Sequence, residues 1–313
     1  MPSPVAEAAP ASPPARLSPP SAEVAQHDPV AAEITNEHSA LDESISSSVR
    51  DYNFEYGRRY HKYKEGYYVF PNDESEQDRE DMKHAMIVNL CGGKLHFAPI
   101  GQHPQNIIDL GTGTGIWYLS PIQPEWVPPN VKFMVEDAQL PWLEPENFYD
   151  LVHGRHITPT LKNFPALIER AFKHIKPGGW IKFKEMHYRP HCDDDTMTSS
   201  YPFLNYHEVV TEGLDALGIH FNATREEAAN LEKYGFTNVQ HEVLKVPLGP
   251  WAKHKTLKLI GLYLRTSVLL GLDGMSFGPL YVYLVDIRKS IMDSSIHVYF
   301  PYHITYGQSP LET

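Results

Sequence analysis

Apolar and polar positions along this chain alternate between two periods, and the switches between them predict an order of elements. Short apolar runs bounded by turn residues read as buried strands over Asn106–Leu110, Val131–Val135, Tyr149–His153 and Trp180–Met186. Longer runs with helical spacing fall between and after them. Phe164–Ile175 is predicted as a helix closed by Lys176, Pro177, Gly178 and Gly179, and Tyr206–Leu217 and Arg225–Tyr234 read as two more. Thr237–Val246 has strand character. Leu257–Leu270 and Leu280–Met292 are further helices separated by the glycine-rich turn 271–278, and Ile296–Gly307 closes the chain as a strand or hairpin. Alternation of this kind predicts an α/β fold: a mostly parallel sheet with helices on its faces. Upstream, Asp73–Gly92 reads as an amphipathic helix. Met82, Met86, Val88 and Leu90 form its apolar positions, and its acidic start suits the positive end of a helix dipole. Tyr52–Phe70 interleaves aromatic and basic residues. It is read as a segment docking its rings on the core, with a lid stacking on a ligand as the second reading.

Composition changes this picture at the N-terminus. Eight of the 27 prolines lie in the first 30 residues, and no Phe, Trp or Tyr precedes Tyr52. Residues 1–48 therefore cannot bury enough apolar surface to offset ordering entropy and are expected to be disordered, leaving 49–313 as the folded domain. A net charge of −12 provides no broad electrostatic footprint for nucleic acid or an anionic membrane surface. Two cysteines, Cys91 and Cys192, far apart, argue against a disulfide scaffold and fit a reducing, cytoplasmic setting. The N-terminus shows no basic segment followed by an apolar run, so no secretory signal is expected. The most apolar region, 257–285, is interrupted by Arg265 and Asp273, and reads as buried helix rather than a membrane span.

The candidate chemistry begins where the first strand ends. Asp109 is followed by Leu110 and then by Gly111, Gly113 and Gly115. Glycines at this spacing let the chain turn sharply and let a ligand approach bare backbone, and Asp109 can accept from an amine-bearing ligand. Nicotinamide and flavin enzymes use similar loops, but the later glycine of the dinucleotide fingerprint is absent here. The acidic residue, the loop, the acidic turn Phe133–Ala138 and the segment Lys176–Phe183 together resemble the class I S-adenosylmethionine-dependent methyltransferases. More specifically, the chain resembles the fungal LaeA-like members, which include pathway enzymes and a regulator of secondary metabolism. The matching stretches are Gly57–His61, Tyr68–Glu74, the loop, Ser120–Asn130, Val152–His156 and Tyr306–Gln308, spread over roughly the whole folded part.

The resemblance implies a Rossmann-like sheet of seven strands with a reversed hairpin at its C-terminal edge, and S-adenosyl-L-methionine as cofactor. It places Gly111, Gly113 and Gly115 along the methionine and ribose, with Asp109 beneath the loop. Glu136 and Asp137 form the acidic turn; Asp137 accepts from the adenine amine and Ala138 donates its backbone N–H to the ring. Tyr60 lies in a lid near the cofactor.

One departure stands out. In the family the loop opens a helix, and a second strand then ends in the carboxylate that binds the ribose. Here Trp117, Tyr118 and Leu119 run at once into Ser120. A segment of roughly fifteen to twenty residues, about one helix plus one short strand, is missing. The expected fold therefore lacks its second strand and the helix before it, and Tyr118 or nothing takes the ribose carboxylate's place. The rival alignment makes 116–130 the helix and Glu136 the ribose acid. It puts Pro121, Pro124, Pro128 and Pro129 inside a helix, at about 3 kcal/mol for each interior proline.

Candidate bases are His153, His156, Glu185 and His187, at the C-terminal ends of strands, where open α/β sheets bind ligands. For each, the competing role is a hydrogen-bonded structural side chain. His187, His191, Cys192 and Asp193–Asp195 do not form a metal site on spacing, since no strand geometry is expected to bring His187 and His191 together. The expected partner is a small-molecule acceptor, with neither direct nucleic acid nor membrane. In the alternative, regulatory reading a protein partner and a nuclear location replace it.

Overall fold

The computed structural model describes residues 52–55, 57–61, 71–111, 130–131, 137–158, 161, 163–216, 218–220, 226–274 and 280–311. The N-terminal tail, Gly113, Gly115, the proline-rich stretch up to Pro129, and residues 132–136, which hold Glu136 and all but the first residue of the expected strand, lie outside them.

Two strands, β1 (Tyr52–Glu55) and β2 (Arg58–His61), pair antiparallel around Gly57, whose φ of 77° suits a residue without Cβ. This hairpin corrects the reading of the aromatic segment, which predicted no strands; tight pairing across the Gly57 turn is the reason. Helix α1 (Glu74–Leu90) follows, and the Asp73 side chain accepts from the Glu76 N–H at its start.

The main sheet holds β3 (Ile107–Leu110), β4 (Tyr149–Arg155), β5 (Ile175–Met186), β6 (Thr237–Pro247) and β7 (Tyr299–Gln308) in the order β3-β4-β5-β7-β6. The first three are parallel; β7 runs antiparallel to both neighbours. This is the mostly parallel, Rossmann-like sheet with a reversed C-terminal edge that the sequence led us to expect. Among the described residues β3 is an edge strand. β5 starts five residues earlier than predicted, because Ile175 already pairs with Tyr149. The Pro-Gly-Gly turn is taken up as a bulge tied to β7's end by Ser309. The C-terminal segment is one strand rather than a hairpin.

Helices α2 (Phe164–His174) and α4 (Glu227–Lys233) cover one face, over a core of Leu110, Val152, Ile157, Leu167, Ile181 and Leu231. On the other face lie α1, α3 (Pro202–Ala216), α5 (Lys255–Gly274) and α6 (Leu280–Met292), over Met86, Met186, Phe203, Ile260, Leu284 and Phe300. Among the described residues no helix is long and apolar enough to cross a membrane. The first half of α1 is the acidic start expected ahead of its apolar positions. Its inward side carries Glu76, Arg79, Glu80 and Lys83, which pair with each other: Arg79 with Glu76 and, at 2.9 Å, with Glu80, and Lys83 with Glu80 at 2.7 Å; Arg79 also reaches the Ser267 hydroxyl of α5 at 3.5 Å. Mutual neutralisation is what lets a charged helix face sit inside.

Candidate functional site

The parallel register brings the C-terminal ends of β3, β4 and β5 together. Asp109 lies beside His153, and His153 beside Lys182. His153 Nε2 is 4.0 Å from Asp109 Oδ1, and its Nδ1 is 3.4 Å from the Lys182 carbonyl. Burial, helped by Lys182, Lys184 and Arg155, holds the His153 imidazole well below its ordinary pKa, so it is neutral. Lys182, pushed down to about 6 by burial and by Lys184, donates to the Leu95 carbonyl at 2.8 Å. This row pins the chain after α1 onto the sheet. His153 sits within it and does not line the large cavity described below.

Gly111 ends β3 with φ 68°, and it is exposed, presenting bare backbone. A Cβ there would lie 2.4 Å from Ile157 Cγ2, and a Cβ on Gly154 would lie 2.5 Å from Ile157 Cδ1. Ile157 is thus wedged beneath the turn, against two glycines on neighbouring strands. Close packing on Ile157 therefore requires a residue without a side chain at 111. Asp137 Oδ1 accepts from the Gln139 N–H at 2.9 Å. The Ala138 carbonyl accepts from Trp142 Nε1 at 3.2 Å and from Arg170 Nη1 at 2.9 Å. Ala138 is therefore held from α2, by Arg170, a residue the sequence reading did not single out.

Ile157 is held in turn by a buried carboxyl. Glu185 Oε1 accepts from the N–H groups of Ile157, at 2.9 Å, and Thr158, at 3.4 Å. The Thr158 hydroxyl donates to Glu227 Oε1 on α4 at 3.2 Å. Burial pushes Glu185 up to about 8, and burial also raises Glu227 well above its ordinary value, with Glu185's own charge adding to the effect. Glu185 faces α4 and serves to hold the turn. Glu227 gave no local signal in the sequence; only the fold puts it opposite Glu185.

His187 is buried, its N–H donating to the Pro301 carbonyl at 2.8 Å. Its ring lies 5.5 Å from that of His191 and 6.1 Å from that of His303. This corrects the expectation that His187 and His191 stay apart. His191 bridges to Tyr299, which folds the segment after β5 back along β7. Among the described residues no three side chains able to hold a metal converge.

His156 is placed differently. It follows β4 with φ 55°, its N–H donates to the Lys184 carbonyl at 3.1 Å, and its ring meets Tyr302 edge-on at 5.9 Å. It lines a cavity of about 460 Å³. Phe203, Tyr206 and Leu214 of α3, Leu264 and Val268 of α5, and Met186 supply apolar walls. Arg58, Tyr60, Glu76, Arg79 and Lys83 add polar and charged lining. The Arg58 guanidinium is itself paired with Asp73, Nη2 to Oδ1 at 2.9 Å, which ties the hairpin to the start of α1. Burial, then the cations Lys83, Arg155 and Arg79, keep His156 well below its ordinary pKa. Of the four candidate bases, His156 alone lines this cavity, and Tyr60 lines it too.

Residues 82–241 match a family described as a methyltransferase domain. Methyltransferase pytC of Aspergillus terreus is 32% identical, over 85% of this chain and 91% of that protein. Secondary metabolism regulator LAE1 of Cochliobolus heterostrophus is 31% identical, over 82% and 94%. Protein-methionine methyltransferase laeA of Emericella nidulans is 28% identical, over 86% and 79%. With its mostly parallel sheet, its glycine turn at the end of β3 and these relatives, the chain belongs to the methyltransferase-domain family, in the group that holds the fungal pytC and LaeA-type proteins.

Proposed function

We propose that this methyltransferase uses S-adenosyl-L-methionine to methylate a small-molecule acceptor in fungal secondary-metabolite biosynthesis. The observation that carries the reading is the turn 156–158. Two consecutive residues serve two sites: His156 lines the cavity, and Ile157 lies beneath Gly111. A donor seated on the glycine turn and an acceptor in the cavity would meet at this turn.

When bound, the cofactor supplies a methyl group on a sulfonium, a good leaving group. The protein's task is then chiefly alignment and exclusion of water. In this reading Gly111, Gly113 and Gly115 hold the methionine and ribose, with Asp109 beneath. Glu136, Asp137 and Ala138 hold the adenine, and Tyr60 closes over the site. His156 orients the acceptor, while His153, Glu185 and His187 act as structural supports behind it. Isothermal titration with S-adenosyl-L-methionine tests the assignment. Binding is expected, weakened about ten- to a hundredfold relative to a relative that keeps the ribose carboxylate. Absence of heat at sub-millimolar cofactor would sink the reading.

Two relatives are named secondary metabolism regulators, which favours one second reading, that of a regulator. Our version of that reading has weak or no catalysis, a protein partner and a nuclear rather than cytoplasmic location. Deleting the gene separates the two. Loss of one methylated compound and its successors marks the pathway enzyme, and broad loss of many metabolites marks the regulator.

A further inference from the structure

Leu264, Ser267, Val268, Gly271 and Leu272 of α5 line the cavity. The last four fall three, four, seven and eight residues after the first, the spacing of one helix face. Seven residues are close to two full turns, so Gly271 points within about 20° of Leu264, in the middle of that stripe. It is the only one of the five without a side chain. Left-handed backbone and close approach of a neighbour are the usual reasons for a glycine, and neither holds here. Gly271 has helical backbone, and among the described residues a Cβ built on it meets nothing within 4 Å. Gly261 of the same helix is the contrast, since its Cβ would lie 1.9 Å from the Gly249 carbonyl oxygen. Helix propensity also opposes a glycine inside a helix. What Gly271 supplies is therefore room on the cavity wall.

The lining restricts charge as well as size. The charged side chains at the cavity are already paired: Arg58 with Asp73, Arg79 with Glu76 and Glu80, and Lys83 with Glu80. A charged ligand group set among them would compete with an existing pair and leave a partly buried charge uncompensated. The two imidazoles of the lining add no charge. Burial holds His207 down to about 4 and, with neighbouring cations, keeps His156 well below its ordinary value. Most of the remaining lining is apolar, so most of the ligand's surface must be apolar too. We propose that the cavity takes an uncharged, mostly apolar molecule, part of which lies against the α5 backbone at Gly271, so that this residue sets the size the cavity accepts. This deepens the small-molecule acceptor assigned above and rests on that reading for calling the ligand a methyl acceptor; the binding preference itself does not depend on cofactor.

Three fluorescent probes test it on the full chain without cofactor: N-phenylnaphthylamine, the anilinonaphthalene sulfonate built on the same rings, and the larger uncharged dye Nile red. N-phenylnaphthylamine is expected to bind at least about tenfold more tightly than the sulfonate. Gly271→Leu should weaken Nile red at least about tenfold and N-phenylnaphthylamine by less than about threefold, because only the larger molecule must reach the α5 wall. Gly271→Ala should leave the urea midpoint unchanged or raise it, since the added methyl meets open space and favours the helix. Equal or tighter binding of the sulfonate overturns the proposal, as does equal loss of both uncharged probes in Gly271→Leu, loss of neither, or failure of every probe to bind. A lowered urea midpoint in Gly271→Ala, or a Gly271→Leu chain that unfolds, also overturns it, because the protein itself would then fill the space beyond Gly271. Cofactor titration run separately keeps the two readings apart. If cofactor fails to bind and both probe preferences hold, the ligand assignment stands without methyl transfer.

Discussion

Replacing Gly111 by Ala tests whether the glycine turn and the turn after β4 form one mechanical unit. The new Cβ would lie 2.4 Å from Ile157 Cγ2, a distance that forces one of them to move. Ile157 has little freedom to yield: it is 5% exposed, its N–H is held by Glu185, and its Cδ1 already rests against Gly154. Left-handed backbone at φ 68° costs an alanine about 1–2 kcal/mol, and overpacking adds about 1–3 kcal/mol. The gain from a stiffer unfolded chain returns about 0.4–1 kcal/mol, leaving a net loss of about 2–4 kcal/mol. That is a large part of an ordinary domain's stability, typically about 5–15 kcal/mol. Ile157→Ala removes the clashing methyl and by itself costs about 2–4 kcal/mol through the cavity it leaves. In the double variant the overpacking disappears, so the losses should fall short of additive by about 1–3 kcal/mol. Urea denaturation of the wild type and three variants, followed by circular dichroism at one pH, measures this. Additivity within about 0.5 kcal/mol would refute the wedge, because residues in contact through a clash cannot act independently.

The Glu185–Glu227 pair predicts a pH dependence. Glu185 goes from an ordinary 4.5 to about 8 on burial, so its contribution to stability is fully present below about 4.5 and is lost as pH rises through about 8. Glu227 shifts in the same direction, and Thr158, Thr305 and, more distantly, Lys83 face the pair. Melting temperature should therefore fall between these limits, with Glu185→Gln flattening the fall; an unchanged slope would exclude the pair as its source. Gly261→Ala places a Cβ 1.9 Å from the Gly249 carbonyl oxygen, where α5 crosses the chain after β6. Because backbone cannot yield as a side chain can, a loss of about 3 kcal/mol or more is expected in urea, and a loss below about 1 kcal/mol would count against the close crossing. Asp73→Ala removes both the cap of α1 and the partner of Arg58, so about 1–2 kcal/mol should go. Limited proteolysis should then cut the β1–β2 hairpin sooner than in the wild type; unchanged cutting would mean that the pair does not anchor it.

Element order and the direction of most strands were legible in the sequence, because hydrophobic period and turn residues are local signals. Asn106–Leu110, Tyr149–His153 and Thr237–Val246 were found within a residue or two of β3, β4 and β6, and the ends of α6 were found outright. The β1–β2 hairpin was not, since its strands are four residues each and their pattern is dominated by aromatic and basic side chains that suit several conformations. The site divides along the same line. Gly111 and Asp109 became candidates through their spacing, and the four candidate bases through their place at strand ends. Nothing local separated His156 from the other three.

What the sequence determined by itself is the class of fold, the glycine turn and the family resemblance, all of which depend on residues near one another in the chain. The tertiary structure decided which candidates share a site. Strand pairing sends His153 into a row with Asp109 and Lys182, and turns Glu185 toward Glu227 on the opposite face. The left-handed residue at 156 brings the last imidazole to the cavity wall while its neighbour Ile157 supports the glycine turn. Successive strand residues face opposite sides of a sheet, and a site forms only where separate segments converge. Sequence spacing records the first of these facts, and only the folded chain supplies the second.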